Sequence, residues 1–91
     1  MDIQQSTKTV REVIRKILDS SEKINDKTEL IGGNSPVDSM QLVEICLALE
    51  DIADEKGFEF DWTSETTMSK SKSIFKNIES LSKEFLNQSK N

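Results

Sequence analysis

The sequence predicts an all-α fold, a four-helix bundle with three longer helices, one short helix and a long loop between the first two. Three segments repeat their apolar residues at the spacing of one helical face. Only residues 58–62 alternate apolar and acidic side chains as a strand would. A lone strand has no partner to pair with, so we expect an extended loop held by its aromatic side chains. The 91 residues suit one domain, 1–91, with its core over about 6–87 and frayed ends.

The first helix is predicted from Thr9 to Asp19. Its apolar residues are spaced at i, i+3, i+4, i+7 and i+8, which places them on one stripe: Val10, Val13, Ile14, Ile17 and Leu18. Ser6 or Thr7 precedes the stripe, and either hydroxyl could serve as the N-cap.

A long polar segment, residues 20–37, follows the first helix. Loops of this length inside a compact domain are usually functional or held in place by apolar anchors. We therefore expect the apolar pair Leu30 and Ile31 to fold back onto the core. Pro36 disfavours helical backbone at the residue before it, so the next helix must begin later.

The second helix is predicted to begin at Ser39. Asp38 followed three residues later by Gln41 has the form of a capping box, in which each side chain bonds the other residue's backbone N–H. The helix should continue to about Lys56, where Gly57 suits the C-cap.

The C-terminal third is predicted to contain a short helical turn and a longer helix. The turn should span about residues 64–68, with Ser64 as its cap. The longer helix should span about 73–87. Four of its apolar residues share one face and two lie beside that face: Ile74, Ile78, Leu81 and Phe85, with Phe75 and Leu86.

The second helix carries apolar residues on two sides when its residues are placed at about 100° intervals. The broader group should face the core and consists of Leu42, Ile45, Cys46, Leu49, Ile52 and Ala53. The other group, which we call the docking strip, consists of Met40, Val43 and Leu47. Four acids, which we call the acidic rim, are interleaved with it: Glu44, Glu50, Asp51 and Asp54. We interpret strip and rim as a surface for a partner that supplies Lys or Arg. The alternative is an imperfectly patterned helix whose extra apolar residues touch a neighbouring loop.

Acidic residues are concentrated around this helix. The net charge is −5, yet residues 38–61 alone contain eight acids and one base. Nucleic-acid binding requires a basic surface, so this distribution predicts no nucleic-acid partner and favours basic proteins.

The remaining composition predicts a cytoplasmic monomer. The single cysteine cannot form an internal disulfide and agrees with a reducing compartment. The first residues lack the basic start and apolar run of a secretory signal, and no apolar run is long enough to insert into a membrane.

Ser39 is prominent, yet the chain contains no histidine that could activate it as a nucleophile. We therefore expect no enzymatic activity. We expect no metal site either, because Cys46 has no second cysteine or histidine to join it. The segment 51–62 fails as a calcium loop, since Lys56 stands where glycine is required. Asp-Ser before a helix is most often only a cap, and this interpretation stays open for Ser39.

The residues around Ser39 nevertheless resemble a known motif. The sequence there is Asp38-Ser39-Met40-Gln41-Leu42-Val43-Glu44, continuing to Leu49-Glu50-Asp51. It is similar to the phosphopantetheine attachment site of the acyl carrier protein family, in which Asp-Ser-Leu precedes an acidic second helix. The order of helices and loops resembles that family over most of the chain, which implies an acyl-carrier-like bundle.

The resemblance implies that a phosphopantetheinyl transferase attaches 4'-phosphopantetheine from coenzyme A to Ser39, beside the motif residue Asp38. The arm would carry acyl groups as thioesters for fatty-acid, polyketide or related biosynthesis. It further implies that strip and rim bind acyl-loading and acyl-processing enzymes with basic docking surfaces, and that Cys46 and Leu49 line an acyl pocket. The alternatives are a noncatalytic acidic helical adaptor and a peptidyl or aminoacyl carrier domain.

Two features qualify this resemblance. Met40 stands where the family has leucine, and Gln41 stands where an acid is common, which suggests a specialised pathway. The segment Gly32-Gly33-Asn34-Ser35 resembles the attachment site of peptidyl carrier domains. In those domains a helix follows the serine, whereas Ser35 is followed by Pro36 and Val37, and the predicted helix begins only later. Ser39 is therefore the preferred attachment site.

Overall fold

Helices form most of the chain that the structure describes, which comprises residues 1–18, 24–31, 35–64 and 69–90 of a computed structural model. Within these ranges the helices are α1 (Ile3–Leu18), α2 (Ser39–Lys56), α3 (Ser71–Ile74) and α4 (Ile78–Ser89). The same ranges contain no strand, only an isolated antiparallel bridge between Glu29 and Asn77. The all-α prediction is thereby confirmed.

The core lies where α1 packs against both α2 and α4. Its apolar side chains come from all the helices and from the segments between them. Those that are buried are Val10, Val13, Ile14, Ile24, Leu30, Val37, Ile45, Cys46, Leu49, Ala53, Phe60, Ile74, Phe75, Ile78, Leu81 and Phe85. The predicted stripe of the first helix faces this core, with Ile17 and Leu18 packed at its edge.

The helix α1 begins at Ile3, six residues before the predicted start. Asp2 precedes it in a reciprocal arrangement: Asp2 Oδ1 accepts a hydrogen bond from the Gln5 backbone N at 2.9 Å, and Asp2 N donates to Gln5 Oε1 at 3.1 Å. This pair satisfies backbone groups that the start of a helix leaves unbonded. The prediction of Ser6 or Thr7 as the cap is wrong, because both residues lie inside the helix.

Ser6 instead joins α1 to α4. It is fully buried, and its hydroxyl donates a 2.6 Å hydrogen bond to the backbone oxygen of Ser82. Ser82 is also fully buried, and its hydroxyl donates to the Ile78 backbone oxygen at 2.7 Å. Two small side chains at this crossing let the helices approach closely, and their hydrogen bonds avoid the cost of burying free hydroxyls.

The long loop contributes to the core as predicted. Leu30 is buried, Ile31 packs against the core at its edge, and Ile24 and Val37 are buried beside them. Arg11 of α1 holds the loop by an ion pair with Asp26 at 2.8 Å.

The predicted last helix, 73–87, is in fact two helices separated at residues 75–77. Asn77 caps α4, because its side-chain oxygen accepts from the Ser80 backbone N at 2.8 Å. The loop supplies two further acceptors: the backbone oxygen of Thr28 bonds the Ile78 N, and that of Asp26 bonds the Glu79 N. These bonds satisfy the first N–H groups of α4 and so fix its start. Of the predicted turn at 64–68, residues 65–68 lie outside the described residues.

The segment 58–62 is an extended loop held by its aromatic side chains, as predicted. The rings of Phe58 and Phe60 meet the ring of Phe85 edge to face, with centroids 5.3 and 5.2 Å apart. The side-chain amide of Gln88 bonds both backbone groups of Asp61, accepting from its N at 2.6 Å and donating to its O at 2.8 Å. Gln88 therefore bonds this loop much as a neighbouring strand would.

Candidate functional site

The N-terminus of α2 has the predicted capping box. The Asp38 Oδ1 accepts from the Gln41 backbone N at 2.8 Å, and the Asp38 N donates to Gln41 Oε1 at 3.0 Å. The helix ends at Lys56, where Gly57 takes the left-handed conformation with φ 88°. Glycine adopts this conformation without steric cost, so the predicted bounds of the second helix are confirmed.

Ser39 is the first residue of α2 and is exposed. Among the described residues, its hydroxyl and the backbone N–H groups of Ser39 and Met40 have no hydrogen-bond partner. These N–H groups lie at the positive end of the helix dipole, where an attached phosphate is stabilised. The hydroxyl can thus be modified without breaking an internal bond.

Ser35, the rival attachment residue, has a different environment. Its hydroxyl donates to the backbone oxygen of Val37 at 3.1 Å and accepts from the Val37 N at 3.0 Å. The preceding Gly32, Gly33 and Asn34 lie outside the described residues. A modification of Ser35 would break a turn that leads directly into α2, whereas the Ser39 hydroxyl makes no such bond to a described residue.

The docking strip lies on the surface of α2. Met40 is 75% exposed, Val43 44% and Leu47 48%. The opposite side of the helix faces the core through the predicted residues, of which Leu42 and Ile52 are half-buried and the rest buried. The predicted division of this helix into a core face and an exposed apolar strip is confirmed.

All four residues of the acidic rim are exposed. The ion pairs among the described residues lie elsewhere: Arg11 with Asp26, and Lys27 and Lys83 with Glu79. Hydrogen bonds from Lys27, the larger cause, and from Lys83 hold the pKa of the Glu79 carboxyl below its usual range. No ion pair with a described residue therefore compensates the negative charge of the rim.

One contact of the rim could not be assigned from the sequence. The indole Nε1 of Trp62 donates a 2.8 Å hydrogen bond to Glu50 Oε2. A single tryptophan in an acidic segment signals that its N–H needs an acceptor. Which carboxylate accepts depends on how the loop returns along α2, and that is a matter of tertiary structure.

Cys46 and Leu49 both lie fully in the core. Burial, reinforced by the charge of Glu50, raises the pKa of the Cys46 thiol from its ordinary value of 9.0 to about 12. The thiol is therefore a packing group and a poor nucleophile. The role of these two residues in sheltering an acyl chain stays a prediction.

We expect native Cys46 to react with dithionitrobenzoate at pH 8 about a thousandfold more slowly than the unfolded chain does, because the thiolate is the reactive form and little of it is present when the pKa is about 12. The pKa is raised in the folded state, so the unfolded thiol ionises first and stability should fall as pH rises from 9.0 towards about 12. Absorbance of the released thiolate, with and without urea, measures the reactivity. Equal rates in both conditions would contradict the buried position.

The described part of the chain contains no group of three or more Cys, Asp or Glu side chains placed to hold a metal ion. None of its helices combines the length and the apolar character needed to cross a bilayer.

Comparisons with protein-family models, with curated proteins and with solved structures found no match for this chain. The candidate site therefore rests on three features of α2. These are the exposed Ser39 hydroxyl, which bonds no described residue, the exposed apolar strip, and acids that form no ion pair within the described part of the chain.

Proposed function

We propose that this protein is a carrier with an acyl-carrier-like four-helix bundle, which holds acyl groups as thioesters on a 4'-phosphopantetheine arm attached to Ser39. The observation that carries the proposal is the exposed hydroxyl of Ser39 at the start of α2, which has no hydrogen-bond partner among the residues that the structure describes. The docking strip, which begins one residue later, supports it.

The residues present fit such an arm. In the loading step the Ser39 Oγ would form a bond to the arm's phosphorus atom, and the bond between that phosphorus and the nucleotide part of coenzyme A would break. The hydroxyl proton would pass to a base of the transferase, since this chain has no histidine to receive it. The backbone N–H groups of Ser39 and Met40 would then face the attached phosphate.

The arm, when bound, supplies the thiol that forms the thioester. The protein supplies recognition: the apolar strip would contact a partner enzyme, and the rim would pair with its basic residues. In the acyl-carrier interpretation, a bound acyl chain would lie between the helices against Cys46 and Leu49.

Incubation with a transferase and coenzyme A is expected to add one phosphopantetheine per chain, as measured by intact mass. Ser39→Ala should abolish the addition completely, and Ser35→Ala is the matched control that should still be loaded. A fully modified Ser39→Ala protein would contradict the assignment.

Thiol titration gives an independent check of the same reaction. Because Cys46 is buried, the unloaded native chain should release almost no rapid signal with dithionitrobenzoate. The loaded chain should show one rapidly reacting thiol, which belongs to the arm.

A noncatalytic adaptor is the second candidate. The exposed strip favours it equally, together with acids that form no ion pair with the residues described here. Both candidates predict partner binding that weakens with salt, since exposed charges are screened. Only the carrier requires the Ser39 hydroxyl. A peptidyl or aminoacyl carrier would be loaded in the same way, and the intact mass of protein from its native host would reveal the cargo.

A further inference from the structure

The pair formed by Trp62 and Glu50 extends the exposed face of α2 onto the loop 58–62. At 100° per residue, Glu50 lies on the flank of α2 between the core side and Val43. The indole that bonds its Oε2 must therefore lie along the same flank, beside the docking strip. Trp62 is half-buried and packs at the edge of the core, so part of this residue remains accessible to solvent.

The hydrogen bond leaves Glu50 with capacity for a second partner. Its Oε1 accepts no hydrogen bond and forms no ion pair among the described residues. A neighbouring cleft, between the C-terminal half of α2 and the loop, has mostly acidic walls. Its lining residues are Glu50, Asp51, Asp54, Gly57, Phe58 and Glu59. A cation is the group that these surroundings favour.

An indole ring beside a carboxylate suits one kind of cation best. A guanidinium is planar, so it can stack on the ring while its N–H groups bond the carboxylate. An ammonium group is a strongly hydrated point charge and gains less from the ring. We propose that Trp62 and Glu50 form a subsite for an arginine of a basic partner whose apolar residues cover the docking strip.

This inference rests on the docking part of the proposed function and not on the arm at Ser39. A partner that binds here should carry an arginine beside its apolar contact residues. Trp62 would then select between arginine and lysine, while the acids of the rim attract either.

The probe is an amphipathic helical peptide of Leu, Ala and Arg without aromatic residues, compared with the same peptide carrying Lys in place of Arg. Since Trp62 is the only tryptophan of the chain, its emission reports binding directly. We expect the Arg peptide to change this emission and, by calorimetry, to bind about threefold to tenfold more tightly than the Lys peptide.

Two variants test the subsite. Trp62→Leu should lower the affinity for the Arg peptide to that for the Lys peptide. Glu50→Gln keeps an acceptor for the indole, so it tests the subsite even if Trp62→Leu folds poorly. It should also remove most of the preference for the Arg peptide. The matched control is Glu12→Gln, which removes one exposed charge on α1 and should leave the preference unchanged.

Equal binding of both peptides, no binding by the wild type, or an unchanged preference in both variants would overturn the proposal. If Val43→Asp then abolished the binding of both peptides, the docking strip would be supported as a binding surface, and the arginine subsite would still be rejected. Loading of Ser39 is measured separately and does not depend on either result.

Discussion

Replacing Phe85 with alanine is expected to cost about 3 to 5 kcal/mol of stability, because a buried aromatic side chain would leave a cavity. Phe85 is completely buried, and its ring is the one that Phe58 and Phe60 both meet edge to face. A domain of this size is stable by roughly 5 to 14 kcal/mol, so a large share of the total would be lost. The loop 58–62 should be the first part to loosen.

Urea unfolding followed by far-ultraviolet circular dichroism measures the loss, and emission of Trp62 reports the loop in the same samples. Phe85→Leu is the control, since it keeps most of the apolar volume and should cost about 1 kcal/mol. A Phe85→Ala protein within about 1 kcal/mol of the wild type would show that the loop does not depend on this ring.

Placing a charge in the docking strip is expected to lower partner-dependent transfer about tenfold or more, because an apolar contact at the centre of an interface would be replaced by a buried charge. Leu47→Asp is the sharpest variant. Leu47 is 48% exposed, so its replacement should leave helix content nearly unchanged. Val43→Asp, at 44% exposure, should act in the same way.

The measurement is the rate at which a transferase loads Ser39, resolved into kcat and KM, together with circular dichroism. Ile3→Asp is the matched control, because Ile3 is 40% exposed but lies on α1. An Asp at Ile3 also sits at a helix N-terminus, where a negative charge is tolerated well. If Leu47→Asp left KM unchanged, we would conclude that the docking strip does not contact that enzyme.

Much of the candidate site could be predicted because its determinants are local. The start of α2 follows from Asp38, Gln41 and Pro36, which lie within six residues of one another. Its exposed strip follows from helical periodicity alone. The observed start of α1 is also indicated by a capping pattern, because Asp2 and Gln5 repeat the spacing of Asp38 and Gln41. The apolar stripe does not indicate this start, because Ser6 and Thr7 occupy the stripe positions between Ile3 and Val10.

The break before α4 had a weaker signal. The apolar face continues from Ile74 through Ile78, so periodicity alone favours one unbroken helix. Asn77 is a good capping residue, but its effect depends on acceptors supplied by Thr28 and Asp26 from the distant loop.

The sequence by itself determined the helical class and the bounds and two faces of α2, because capping and periodicity act between residues a few positions apart. Tertiary structure alone decided that Ser6 bonds Ser82, that Gln88 holds the loop at Asp61, and that Trp62 meets Glu50. These contacts join residues 12 to 76 positions apart, and their geometry exists only once the helices have packed.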